Sequence, residues 1–119
     1  MVIGFFELRL FAFTRFPLWL TPELLSENAG VKLVLFYEQD DVEDKHEILK
    51  LFPVGTKLIK VDKINKSSII ELIKCESIDR LVVMAQRIPD SCFVSAANKL
   101  GIKTLMYQHG LYVPFMKRE

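Results

Sequence analysis

Short apolar runs, bounded by turn residues and separated by stretches of helical pattern, constrain the fold of this chain more than any other feature. Val31 to Tyr37 (VKLVLFY), Lys57 to Val61 (KLIKV), Arg80 to Ala85 (RLVVMA) and Lys103 to Tyr107 (KTLMY) have the length and the β-branched or aromatic content of strands. Their apolar character is nearly continuous rather than alternating, as in strands covered on both faces. Leu8 to Phe13 (LRLFAF) reads the same way and is expected to be the first strand.

The intervening stretches read as helices. Leu18 to Asn28 has Thr21 as a candidate N-cap, Pro22 at the first helical position and Glu23 in the first turn. A second helix, ending near Phe52, begins at Asp40, Asp41, Glu43 and Asp44, whose charges suit the positive end of the helix dipole. Asn65 to Lys74 gathers Ile69, Ile70 and Ile73 on one face, and Ser91 to Leu100 is closed by Gly101 in the manner of a left-handed cap. The lysines of KLIKV place that strand near a sheet edge. Five strands alternating with four helices give a βαβ succession, and right-handed crossovers then require one α/β fold. The expected architecture is a doubly wound, mostly parallel, five-stranded Rossmann-like sheet with helices on both faces. Its 119 residues suit one domain, expected over residues 1–110, with residues 111–119 beginning a linker.

Composition narrows the function classes. Sixteen basic and fifteen acidic residues give a net charge of +1, without the concentrated basic surface that nucleic acid requires. Cys75 and Cys92 are far apart, with no CxxC spacing and no histidine pair nearby. They read as reduced, buried thiols of a cytoplasmic protein, and neither a metal nor a cofactor is expected. Residues 1–20 are very apolar, but Glu7, Arg9 and Arg15 interrupt them, whereas a membrane span needs about 20 mostly apolar residues. Peripheral attachment at the inner face of the membrane stays open, because Phe and Trp are dense there. No GxGxxG, GxxxxGK[ST] or GxSxG occurs, so the usual nucleotide cradles and the hydrolase nucleophile elbow are missing.

In an open parallel sheet, ligands bind beyond the carboxyl ends of the strands, where the strand order reverses. Three segments are expected there: Thr14-Arg15-Phe16-Pro17, Gln86-Arg87-Ile88-Pro89-Asp90 and Gln108-His109-Gly110. With the order 3-2-1-4-5 they would surround one cleft. His109 is the candidate catalytic residue, as a general base or as a donor to a phosphate or sugar oxygen, since an imidazole titrates near neutrality and Gly110 lets the backbone turn close to a ligand. Thr14, Arg15, Gln86, Arg87, Gln108 and Gly110 are the candidate substrate contacts, Arg15 through its planar guanidinium. His46, among Asp44, Lys45 and Glu47, reads as a solvated surface group.

Residues 89–110 (PDSCFVSAANKLGIKTLMYQHG) resemble the closing βαβ of the N-terminal domain in bacterial GT-B-type glycosyltransferases of surface-polysaccharide biosynthesis. In that family a helix with small residues leads through "GI" into a strand ending "HG" beside the interdomain cleft. The loop after the first strand commonly faces the acceptor. The resemblance implies a two-domain enzyme whose N-terminal half holds a sugar acceptor and whose C-terminal half holds a nucleotide-sugar donor. It therefore implies that residues 1–110 are the acceptor-side half, that residues 111–119 begin a linker toward the second domain, and that the chain is inactive alone. Two other readings stand beside it. One is a stand-alone Rossmann-like module for a small phosphorylated or sugar ligand; the other is a non-catalytic interaction subunit. The apolar stretch Leu111 to Met116 asks for cover from a further domain or a partner chain in either case.

Overall fold

The apolar N-terminus forms the central strand of the molecule. The computed structural model describes residues 1–18, 30–62, 64–83 and 88–106, without the side chains of 15–18, 88 and 106. Strand β1 is Val2–Arg9, followed directly by a 3-10 helix over Leu10–Leu18. This corrects the expected first strand at residues 8–13, most of which belongs to the 3-10 helix. The helix expected over 18–28 lies outside the described residues apart from Leu18. The remaining elements are β2 (Lys32–Gln39), α1 (Lys45–Leu49), β3 (Lys57–Lys60), α2 (Lys66–Cys75), β4 (Arg80–Val83), α3 (Ile88–Lys99) and β5 (Lys103–Met106).

All strand pairs are parallel, and the order is β3-β2-β1-β4-β5. The chain first winds outward from β1 through β2 to β3, then crosses back to β4 and continues to β5. Right-handed crossovers in the two directions place helices on opposite faces. On one face, Phe6, Val34, Phe36, Leu81 and Val83 pack against Ile69 and Ile73 of α2 and Phe93, Ala96 and Ala97 of α3. On the other, Phe5, Leu33, Leu35, Tyr37 and Val82 pack against Leu10 and Phe13 of the 3-10 helix, Ile48 of α1 and Phe52. This is the doubly wound Rossmann-like fold expected from the pattern. β3 is an edge strand with Lys57 and Lys60 exposed, as its lysines implied.

Side-chain caps set the helix starts. Asp44 accepts from the His46 N–H at 2.9 Å, and Asn65 from the Ser68 N–H at 3.0 Å. At the amino edge of the sheet, Val2 donates to the Asp79 carboxylate at 2.7 Å while Asp79 donates to the Val2 carbonyl at 2.8 Å. That reciprocal pair ties β1 to the start of β4. Gly4 lies where a Cβ would meet the Phe36 ring at 3.1 Å and Ile78 at 3.2 Å, so the absent side chain lets the α2–β4 connection close on the sheet. Gly101 ends α3 at φ +73° with open space around it. Gly101→Ala is therefore expected to cost about 1–2 kcal/mol from backbone strain alone, read as a lower urea midpoint at unchanged slope. A loss below about 0.3 kcal/mol would contradict the left-handed cap.

Cys75 is exposed and Cys92 half-buried, both as free thiols. This corrects the expectation of two buried cysteines. Cys75 is the last residue of α2, beyond the face that Ile69 and Ile73 turn to the core.

Candidate functional site

The order β3-β2-β1-β4-β5 puts the reversal between β1 and β4. Phe6 pairs with Val83, the last residue of β4, and β1 runs on to Arg9 beside Gln39 of β2. The carboxyl end of β1 thus projects past the described part of β4, and the side chains there border the switch point.

Two buried acids flank it. Glu7, 2% exposed, lies in register with Tyr37 on the face covered by the 3-10 helix, and its carboxylate accepts the Leu8 N–H at 2.9 Å. Asp90 is fully buried in the first turn of α3, the helix that follows β4. There the helix dipole favours a carboxylate. Asp90 closes one of the three segments expected at this edge, though not as a site residue, and Glu7 belongs to none of them. The available signals were a glutamate inside the otherwise apolar GFFELRLF run and an aspartate directly after Pro89.

Asp41, in the loop after β2, organises the segment that leaves β1. One of its oxygens accepts from Arg9 Nε at 2.8 Å and the other from the Phe11 N–H at 2.9 Å. The Thr14 hydroxyl then donates to the Phe11 carbonyl at 2.8 Å. The Phe11 peptide is accordingly held on both sides. Partial desolvation raises the Asp41 carboxyl, but the bonds from Phe11 and Arg9 outweigh it and hold the group below its ordinary 3.8. Neighbouring Asp40 meets Lys45 at 3.0 Å. That bond, together with Tyr37, raises the Lys45 ammonium above its ordinary value. Of the acidic run, then, Asp44 starts α1 as expected, whereas Asp41 serves the 3-10 helix instead.

Because the folded pKa of Asp41 lies below the unfolded one, its contribution is complete above pH 3.8 and disappears as pH falls through the folded value. Asp41→Asn is expected to cost about 1–2 kcal/mol at pH 7, measured by urea unfolding. The gap between variant and wild type should close below pH 3.8; a gap independent of pH would show that the carboxylate charge is irrelevant.

The expected site residues are placed unevenly. Thr14 is half-buried, and its hydroxyl is engaged with Phe11. Arg15 follows it in the 3-10 helix, its side chain outside the described ones. Gln86, Arg87, Gln108, His109 and Gly110 lie outside the described residues. What the structure brings together at this edge is Arg9, Phe11, Thr14 and Asp41, and three of those four were not singled out from sequence. His46 is exposed, in keeping with a solvated reading. Two open clefts among the described residues, one beside Asn98 and Thr104 and one beside Leu49 and Pro53, sit at the amino edge instead.

No protein-family model matches the chain, and no curated protein matches it in sequence. No helix among the described residues is long and apolar enough to cross a membrane.

Proposed function

We propose that this chain is the acceptor-binding domain of a glycosyltransferase of cell-surface polysaccharide synthesis. The observation that carries the reading is the β3-β2-β1-β4-β5 order. In this all-parallel sheet β1, β4 and β5 end at one edge, which contains the β1/β4 reversal where α/β domains bind ligands. The resemblance of residues 89–110 to the closing unit of such domains gives that edge its chemistry. Thr14, Arg15, Gln86, Arg87, Gln108 and Gly110 contact the sugar acceptor. His109 takes the proton of the acceptor hydroxyl as its oxygen attacks the anomeric carbon and the nucleoside diphosphate departs. A second α/β domain holds the nucleotide-sugar donor, and the reaction takes place in the cytoplasm, at the inner face of the membrane when the acceptor is lipid-linked. Leu105, in register with Val82 on β5, is 63% exposed, which supports cover from a further domain or chain continuing into Leu111 to Met116.

The test is a residue-resolved NMR titration of the 119-residue chain. Oligosaccharide acceptors are expected to shift the His109 ring and the amides of 14–15, 86–87 and 108–110, while a nucleotide-sugar added alone leaves them in place. Silence toward every acceptor, or a response to the nucleotide-sugar alone, overturns the reading.

A further inference from the structure

Phe11 is an exposed aromatic ring on a backbone that is held in place. It is 58% exposed, although Leu10 before it and Phe13 after it are fully buried. Its N–H is bound by Asp41 and its carbonyl by the Thr14 hydroxyl. The second oxygen of Asp41 holds Arg9 Nε, so the Arg9 side chain, 62% exposed, is anchored by the same carboxylate that anchors the Phe11 peptide. One carboxylate therefore holds both the Phe11 peptide and the Arg9 guanidinium at the carboxyl end of β1, beside the switch point.

From this geometry we infer that Phe11 and Arg9 form a subsite for one uncharged pyranose ring, with Asp41 as the residue that positions both. The inference rests on the acceptor reading above and names a unit of that acceptor. The C–H-bearing face of a pyranose carries weakly positive hydrogens that pack on the negative face of an aromatic ring. A planar guanidinium offers paired donors to neighbouring hydroxyls at the ring's edge. Charge decides against an anionic sugar. Residues 38–45 carry Glu38, Asp40, Asp41, Glu43 and Asp44 against Lys45 alone, and Arg9 is already paired with Asp41. An anion here would face a net negative neighbourhood. Fixing the backbone that carries the ring before binding also lowers the ordering cost that a loose loop would add.

The experiment titrates the chain with methyl β-glucopyranoside, methyl N-acetylglucosaminide and glucose 1-phosphate, following the Phe11 ring and amide by NMR. The neutral glycosides are expected to shift Phe11 saturably with a dissociation constant on the order of millimolar. Phe11→Ala should weaken this roughly tenfold, Phe11→Trp should preserve or tighten it, and Asp41→Asn should weaken it through the loosened backbone. Because the Phe11 side chain is mostly exposed, Phe11→Ala should leave the fold's amide spectrum intact. Tighter binding of glucose 1-phosphate, or equal binding by Phe11→Ala, overturns the subsite. Sugar-induced shifts at residues 14–15 or 108–110 without any at Phe11 overturn the subsite alone. The absence of shifts anywhere overturns the acceptor reading as well.

Discussion

Phe6→Ala is expected to remove about 3–5 kcal/mol of folding free energy, against a total of about 5–15 kcal/mol for a domain of this kind. Phe6 sits on the central strand with no solvent exposure. Its ring stacks on Phe93 of α3 with centroids 4.3 Å apart and planes 23° apart, and Phe93 in turn meets Phe36 of β2 at 5.5 Å. The Phe93 ring thus joins β1, β2 and α3, and removing its Phe6 partner opens a cavity between layers that the hydrogen-bonded sheet cannot close by collapse. The melting temperature should fall by about 10–20 °C. Phe93→Ala should cost a similar amount. The double variant should lose about 0.5–1.5 kcal/mol less than the sum, the coupling of a stacked pair beyond its buried area. Phe6→Leu, which keeps most of the volume, should cost under about 1.5 kcal/mol. A loss under 1 kcal/mol for Phe6→Ala would mean that the contact between sheet and α3 is not where this fold keeps its stability.

The same strand shows why sequence placed the sheet well and its first member poorly. β1 contains Gly4 and Glu7, two residues that lower strand propensity. Reading along the chain, LRLFAF is the cleaner apolar run. Each of the two is explained by surroundings that no local window contains. Gly4 leaves room for Phe36 and Ile78, and Glu7 lies at the strand's carboxyl end, beside the switch point. Within residues 10–13, the buried Leu10 and Phe13 are three apart with Phe11 exposed between them, the period of a 3-10 helix rather than a strand. In contrast, β2, β3, β4 and β5 carry their signals within their own residues. The lysines of β3 even gave its place in the sheet.

Near the candidate site, the strand order was legible in the sequence but the side chains gathered at the end of β1 were not. The reversal rule needs only the strand order, which the βαβ succession supplies. The Arg9–Asp41–Phe11 arrangement depends on a carboxylate 30 residues from the peptide it holds, and no spacing rule reaches that far. Asp41 was legible only as one acid among several before a helix, a role that Asp44 fills. Thr14 was selected as a polar residue beyond a strand, and its hydroxyl proves to stabilise the turn that presents Phe11.

On the proposed acceptor-domain reading, replacing His109 by Ala should lower sugar transfer by about 10²–10⁴-fold when the chain is assayed together with a donor-binding domain. An acceptor hydroxyl is a poor nucleophile until its proton has somewhere to go. Histidine is the side chain whose unperturbed titration falls nearest neutrality, so it is half-ready to accept that proton at working pH. A general base contributes in the transition state rather than in ground-state binding. The loss should therefore appear in kcat, with KM for the acceptor changed by less than about threefold. If His109 is the base, the acid limb of the wild-type pH profile should flatten in the variant. His109→Gln keeps hydrogen-bonding capacity without basicity, so it separates the two roles open to this residue. If His109 only binds the acceptor, glutamine should restore much of the rate; if it is the base, glutamine should be nearly as slow as alanine. Phe11→Ala should show the opposite signature, a raised KM with kcat little changed, because a stacked ring holds ground state and transition state alike. Both variants lowering kcat equally would contradict this division of labour between the loop after β1 and the segment after β5.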